Sequence, residues 1–578
     1  MAYSSTITMT QSFRLGAGNF RVLLFSSSQL VRFKLENYFV DSPTQITSVS
    51  DPEEGVAALK KEKFDAVIAE ICSNADVVFH FRQQVRKHHT WIPILFITPL
   101  FFWTDARLLE HIVKDPYSFY IPENADKKFI SAKLTQVVTA SHAETALHQL
   151  QNKISRNLYL ASQLQQAMMP PWVYFSNSYE FSCFSQPYSS VSGDLFEWLP
   201  LDENRVLFIF GDVCGHGTHS ALAMTAIQSF LKQLTLQDKE RAARPCRLAT
   251  AINDYFCTHL HNIVYMGTLI VYMDFSKNLI RYQNDGYMDI ICIDSKTGEI
   301  IDTNPEKRGN LPLGMCRETI YRDEDNVEYN FTDSTVFLFH SDGLMDLSKD
   351  PGGDEYLNPE VYRKLAALLV SDEREEDRSI ALPFHLHNSL KQFGYVYPQD
   401  DLSMVLIRKP PHLEKEYIFS CRVPTDKQAV DEICEKAGDF VNKFYGNDEL
   451  AVRTELLLEE YLINVIQHGL SEYQKFNEYI AIKLCAFEKE LKLIVWDRGK
   501  EWNSLSLHRE SADQTLDKLN EDRASSGRGL PIISKIATQF SRQRYSGLNE
   551  SIFIIPVWIP QSQESAGPTP QTASSGQQ

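Results

Sequence analysis

No Cys-x-x-Cys pair occurs among the ten cysteines of this chain, which lie scattered from Cys72 to Cys485. That scatter argues against a zinc ribbon or a disulfide framework and predicts a reducing, cytoplasmic setting. Positive charge is scarce: 57 Lys and Arg against 75 Asp and Glu leave a net charge of −18. A surface of that sign repels a phosphate backbone instead of gathering it by counterion release, so no nucleic-acid partner is expected. Long apolar runs are missing too. Residues 1–19 hold no apolar core of signal-peptide length, and the longest uncharged apolar stretch, Trp91 to Trp103, is broken by Pro93 and Pro99. It is too short to span a bilayer, and no membrane association is expected. What remains, 23% charged and 43% apolar residues, is ordinary globular composition, and 578 residues exceed what one core can hold.

From Arg21 to about Lys128, short buried-type runs alternate with helical patterns: Val22 to Phe25, Ala66 to Ala69, Ile92 to Ile97 and Ser118 to Ile121. Such runs separated by helices predict a doubly wound parallel sheet, here assigned to residues 20–124. The order resembles a response-regulator receiver domain. Carried onto this chain, the Mg²⁺-holding acidic pair falls on Ser26 and Ser27, the phosphoacceptor on Glu70, the hydroxyl on Thr98 and the Lys on Ile121. Without the acidic pair a hard cation has too few oxygen ligands, so the domain is expected to be degenerate and not phosphorylated.

Residues 125–170 predict a helical linker. Between Ala125 and Met169 there is neither Pro nor Gly, and apolar or small residues recur at Leu147, Ile154, Ala161 and Met168, with Leu150 and Leu164 between them. That heptad seam, interrupted by Asn157, suggests a coiled coil pairing two copies as a homodimer; the alternative is one amphipathic helix serving as a spacer. Pro170-Pro171 ends it.

The next segment, 171–409, is strand-rich, and four acidic motifs border its most apolar strands: Ser192-Gly-Asp194-Leu-Phe-Glu197, Gly211-Asp212-Val-Cys-Gly215-His-Gly217, Ser341-Asp342-Gly343-Leu-Met-Asp346 and Asp400-Asp401-Leu-Ser. Any one Asp-Gly is a common turn. Four carboxylates carried by strands to one edge repel each other unless cations lie between them, and all-oxygen ligands point to Mg²⁺ or Mn²⁺. In order and spacing the set resembles the SpoIIE/RsbU-like branch of the PPM-type serine/threonine phosphatases, with Leu164 to Pro170, Asn284-Asp-Gly286 and Leu311-Pro-Leu-Gly314 matching further motifs. The resemblance implies an α/β/β/α sandwich holding two ions. Asp194 and Asp212 would bind metal with the Val213 carbonyl assisting, and Asp342 and Asp400 would complete the second site, Asp401 being the alternative. It implies two-metal hydrolysis of phosphoserine or phosphothreonine without a covalent phosphoenzyme. Ser192, Glu197 and Tyr287 depart from the family pattern. His216 is a weaker candidate for protonating the leaving oxygen, and nothing near Cys214 in sequence would stabilise a thiolate.

After Pro410-Pro411, Thr454 to Leu470 reads as a helix on which Glu460, Asn464 and His468, spaced i, i+4, i+8, share one face. A strand then ends in Asp497-Arg-Gly499, and Ser525-Ser-Gly527-Arg-Gly529 opens a helical segment whose backbone N–H groups suit phosphates. The three elements resemble the GHKL ATPase fold, especially anti-sigma-factor serine kinases such as SpoIIAB and RsbW, over residues 416–560. The resemblance implies an α+β sandwich binding ATP with Mg²⁺: Asn464 on the ion, Glu460 as general base, Asp497 accepting from the adenine amino group, and Gly499, Gly527 and Gly529 admitting the nucleotide. Lys500-Glu501-Trp502 stands where a further glycine is usual, which weakens closure over adenine. Residues 561–578, rich in Gln, Ser, Pro and Thr, predict a disordered tail.

Together these resemblances imply an α/β multidomain protein of the partner-switching kind, whose phosphatase strips phosphate from a STAS-type anti-anti-sigma factor. The kinase-like domain would restore that phosphate, or would act as a nucleotide-gated hub sequestering a sigma or anti-sigma factor without kinase activity.

Overall fold

A computed structural model of the protein describes residues 19–71, 75–99, 115–215, 217–237, 243–261, 263–372, 380–410, 417–471, 474, 478–501, 533 and 535–557. The chain divides into two compact units, Met1–Asn157 and Leu158–Gln578.

The first unit contains β1 (Arg21–Phe25), α1 (Gln29–Phe39), β2 (Gln45–Val49), α2 (Pro52–Lys61), β3 (Ala66–Glu70), α3 (Ala75–His88), β4 (Ile94–Thr98) and β5 (Ser118–Pro122). Its sheet has the order β2-β1-β3-β4-β5 and is parallel throughout. Because side chains alternate along a strand, β1 and β3 feed two cores. Leu23, Phe25, Val67 and Ala69 pack with Leu59 and Phe81 on one face; Val22, Leu24, Ala66 and Ile68 pack with Leu35 and Phe39 on the other. The expected doubly wound sheet is thus present. Asp51 caps α2 by accepting from the Glu53 and Glu54 N–H groups, and Pro52 opens that helix, where its missing N–H costs nothing. At the strand ends the buried Ser26 hydroxyl donates to Glu70 Oε2 (2.5 Å), and the Thr98 hydroxyl donates back to the Ile121 carbonyl (3.0 Å). Helix α4 (Lys127–Met168) starts against this sheet through Ile130, Leu134 and Val138. Further along, Leu147, Leu150, Ile154, Leu160 and Leu164 are all at least half exposed.

In the second unit come β6 (Val173–Phe175), β7 (Glu180–Gln186), β8 (Asp194–Pro200), β9 (Arg205–Val213), α5 (Thr218–Gln237), α6 (Pro245–His259), β10 (Met266–Asp274), β11 (Leu279–Asp285), β12 (Ile291–Asp294), β13 (Ile300–Ile301), β14 (Val327–Asn330), β15 (Thr335–His340), α7 (Pro359–Asp372), α8 (Leu382–Gln392) and β16 (Leu402–Arg408). They build two antiparallel sheets, β14-β11-β10-β9-β8 and β13-β12-β15-β16-β7-β6. Facing strands fill the space between them with aromatic rings, among them Phe181, Phe196, Phe208, Phe210, Phe337 and Phe339. Helices α5 and α6 cover one outer face through Met224, Ile227 and Ile252; α7 and α8 cover the other through Tyr362, Phe384 and Leu386. The result is an α/β/β/α sandwich.

The chain then forms β17 (Ile418–Pro424), α9 (Lys427–Tyr445), α10 (Asp448–Asn464), a π-helical turn Val465–Gly469, β18 (Tyr479–Ala486), β19 (Glu490–Asp497), β20 (Gln539–Tyr545) and β21 (Leu548–Pro556). Asp426 and Asn447 cap the two helices, and Gly446, at φ +60, ends α9 in the left-handed conformation that glycine adopts without a Cβ clash. The sheet, β17-β18-β19-β21-β20, buries one face on α9 and α10. Its other face contributes Ala481, Ile494, Trp496 and Leu548 to the core around α8. The phosphatase-like sandwich and this α+β layer therefore share a core. Around its margin Trp172 Nε1 donates to the Tyr479 carbonyl (2.9 Å), His387 Nδ1 meets Ser546 Oγ (2.9 Å), and the Arg422 guanidinium lies over Tyr479, Tyr174 and Trp198 at 4.7, 5.3 and 6.0 Å.

Candidate metal centre and nucleotide site

Strands β8 and β9 pair so that Asp194 lies directly opposite Asp212. Directly opposed residues of an antiparallel pair project to the same face, so two like charges are held side by side, a destabilising arrangement unless something neutralises them. Asp194 is almost wholly buried and neither carboxylate oxygen has a hydrogen-bond partner, although the Ser403 and Ser341 hydroxyls lie close enough to ease its charge. Burial first, then Asp212 and Asp401, drive its pKa well above the carboxylate range. Asp212 is pushed up to about 7 by burial and by Asp342, Asp400 and Asp401.

The second group comes from the other sheet. Asp342 opens a single 3₁₀ turn after β15, and a Cβ at Gly343 would stand 2.0 Å from the Asp401 carbonyl oxygen. Glycine is therefore required there by close approach: it lets the Asp342 turn lie against the segment carrying Asp400 and Asp401. Burial, Asp400 and then Asp346 raise the pKa of Asp342, and burial and Asp400 raise that of Asp346.

Adjacent residues Asp400 and Asp401 serve different ends. Both Asp401 oxygens are engaged, Oδ1 by the Tyr188 N–H and Oδ2 by the Gly193 N–H (2.7 Å each). It ties the loop before Asp194 to β16. Asp400, whose Oδ1 accepts the Asp401 N–H (2.8 Å), raises Asp342, Asp346 and Asp212 through its charge, while Asp401's charge is felt at Asp212 and Asp194.

Among the described residues no three His, Cys, Asp or Glu side chains close into a ready-made cage. The carboxylates gather around Asp212, which lies opposite Asp194 across the β8–β9 pair and feels the charges of Asp342 and Asp400. Mg²⁺ keeps several waters and takes only one or two protein carboxylates, so a cluster of this size suits more than one hard cation. The orphaned, buried Asp194 oxygens and the repulsion gathered on Asp212 fit such ions.

Sequence reasoning left Asp346 without a role although it stands one helical turn after Asp342. It also gave Tyr287 none. That side chain faces the centre, its pKa raised by burial and by the charges of Asp194, Asp212 and Asp342, and Asn284 holds its turn through the Tyr287 N–H (2.8 Å) and carbonyl (3.0 Å). Glu197 is not near Asp194: three residues along a strand it projects to the opposite face, 3.5 Å from Lys232 of α5. Lys232 Nζ and Gln228 Nε2 both donate to the Met168 carbonyl at the end of α4 (2.8 and 3.0 Å). One turn earlier the Gln165 amide clamps the Ser192 backbone, donating to its carbonyl (2.7 Å) and accepting its N–H (3.0 Å). His216 lies outside the described residues.

In the C-terminal layer, Glu460 and Asn464 are partly exposed on α10 and His468 is exposed on the π-helical turn. Asp497 is different. It is fully buried at the end of β19, accepts from the Gly499 N–H and Asn549 Nδ2, and faces Arg542 Nη2 at 3.4 Å. Gly527 and Gly529 lie outside the described residues.

Two family models match the chain: Stage II sporulation protein E over residues 202–410 and the histidine kinase-like ATPase domain over residues 423–554. The centre of the chain is a SpoIIE-type domain. Phosphoserine phosphatase RsbP of Bacillus subtilis is 25% identical to it over 203 residues, 33% of this chain and 45% of RsbP. Phosphoserine phosphatase RsbU of the same organism is 19% identical over 263 residues, 46% of this chain and 73% of RsbU. The chain thus spans less than half the length of one of these relatives. The solved RsbU and RsbW domains of Rv1364c from Mycobacterium tuberculosis align over 67% of this chain and 95% of that one, at 14% identity and a TM-score of 0.35. The four acidic motifs belong to the SpoIIE-type domain or border it, and Asp497 falls in the ATPase-type one.

Proposed function

We propose that the SpoIIE-type domain is a metal-dependent phosphatase acting on phosphoserine or phosphothreonine of a partner protein. The observation that carries this is the buried Asp194 carboxylate, both oxygens unpartnered, opposite Asp212, which in turn feels the charges of Asp342 and Asp400. Two Mg²⁺ or Mn²⁺ ions, when bound, would supply a water acidified enough to attack phosphorus and would neutralise charge on the phosphoryl oxygens. Asp194, Asp212, Asp342 and Asp400 would hold those ions, with the Val213 carbonyl assisting. Asp401 acts as a positioning residue, fixing the Gly193 backbone just before Asp194. The phosphatase names of RsbP and RsbU, together with a kinase-like domain in the same chain, support a partner-switching role with a STAS-type anti-anti-sigma factor as the substrate.

Between the two readings of the C-terminal domain, a protein-binding module is favoured over an opposing serine kinase, because Asp497 is engaged inside the protein. The exposed heptad stripe of α4 supports a homodimer. The test of the phosphatase reading is phosphate release from a phosphoserine protein by the full chain with Mn²⁺, before and after chelation. Turnover should vanish with chelator and in Asp212→Asn; a folded Asp212→Asn chain with near-normal turnover refutes the metal assignment.

A further inference from the structure

Asp497 belongs to a continuous buried network drawn from four elements. Its Oδ1 accepts from the Gly499 N–H (2.9 Å) and from Asn549 Nδ2 (2.8 Å), and its Oδ2 faces Arg542 Nη2 at 3.4 Å. Arg542, on β20, has a side chain only 8% exposed and donates through Nη1 to the Tyr461 hydroxyl, which in turn meets Ser551 Oγ (2.6 Å). Arg544 Nη1 donates to the Gly499 carbonyl (2.8 Å) and to Asn549 Oδ1 (2.7 Å). The Lys500 N–H closes onto the Gly469 carbonyl at the end of the π-helical turn (2.8 Å), so the chain after Asp497 is stitched to the end of the helix carrying Glu460 and Asn464.

A carboxylate that reads adenine accepts a hydrogen bond from a neutral exocyclic amine. Here the same carboxylate already accepts two bonds from the protein on Oδ1 and faces the Arg542 guanidinium with Oδ2 at ion-pair distance, 3.4 Å. Admitting adenine at Oδ2 would require Arg542 to move aside, giving up its ion pair while its guanidinium stays in a buried site bonded to the Tyr461 hydroxyl.

We propose that the ATPase-type domain works without adenine nucleotide, Arg542 standing permanently in the position of the ligand that Asp497 would otherwise read. This inference concerns a separate domain and does not rest on the phosphatase reading.

The experiment is a titration of the full chain with a fluorescent ATP analogue in Mg²⁺, alongside thermal melting with and without Mg-ATP. A ligand that binds only the folded state raises its melting temperature. The expected results are no saturable fluorescence change and no melting shift at millimolar nucleotide. Arg542→Ala should lower the melting temperature by several degrees at neutral pH, with partial recovery in mild acid as the stranded Asp497 takes up a proton. Saturable binding by the wild-type chain, a melting transition raised by Mg-ATP, or an Arg542→Ala chain that melts like wild type each overturns the proposal.

Discussion

Acidification should loosen the contact between the phosphatase-like sandwich and the ATPase-type sheet, and His387 supplies a measurable share of the effect. This imidazole is almost completely buried on α8, tilted against Phe184 at 4.4 Å and bonded to Ser546 Oγ of the ATPase-type layer. Burial, assisted by Lys391, lowers its pKa from 6.5 to about 3. A group whose folded pKa is depressed stays neutral in the folded state while the unfolded chain takes up a proton. Its contribution is complete above about pH 6.5 and is lost progressively as pH falls toward about 3. One pKa unit corresponds to about 1.4 kcal/mol, so moving from neutrality to about pH 5 should remove about 2 kcal/mol. Asp212 and Glu197, both pushed up to about 7, act in the opposite sense, gaining stability as pH falls through 7. They titrate alike in wild type and in a His387→Asn chain, so the difference in pH dependence isolates the histidine. Denaturant unfolding of both full chains, followed by tryptophan fluorescence because Trp172 and Trp496 lie in the shared core, provides the assay. Wild type should lose about 2 kcal/mol more than His387→Asn between about pH 7.5 and about pH 5. Equal losses refute the reasoning.

In chelator, Asp194→Asn should raise the melting temperature at neutral pH, since it removes a buried carboxyl that burial and Asp212 keep from ionising, while abolishing phosphatase turnover in Mn²⁺; a destabilised variant contradicts that account. Replacing the half-exposed Ile154 by Asp should cost about 2–5 kcal/mol of dimer stability by placing a charge in an apolar seam, and a light-scattering mass unchanged from wild type would reduce α4 to a spacer. Gln165→Ala should free the Ser192 backbone next to Asp194 and lower kcat more than it raises KM, whereas a pure KM effect would separate the clamp from the metal centre. Glu70, bonded to Ser26 and lacking an acidic pair, should take up no phosphate from small phosphodonors; an acyl-phosphate mapped to it by mass spectrometry would overturn the degenerate-receiver reading.

Local chemistry sufficed for much of this protein. Strand runs such as Val22 to Phe25 and Val206 to Phe210 carry their burial in their own composition, and the caps Asp51, Asp426 and Asn447 act within three residues of themselves. The acidic motifs at strand ends were equally legible, because a strand delivers its terminal residue to the sheet edge wherever the sheet lies. Partnership across the chain was not. Asp400 and Asp401 are neighbours with the same side chain, and only the approach of the Tyr188 and Gly193 N–H groups, more than two hundred residues away, engages Asp401 as a fastener. Glu197 was separated from Asp194 by the alternation of side chains, which becomes decisive only once Lys232 is seen on the other face. Asp497 and Arg542 lie 45 residues apart in sequence and meet because β19 and β20 both flank β21, so one register brings the arginine to the carboxylate. Sequence determines which groups are available and on which local face they stand, because those depend on backbone periodicity over a few residues. The tertiary structure decides which groups a buried charge finds as partners, because desolvation and pairing depend on every element packed around it.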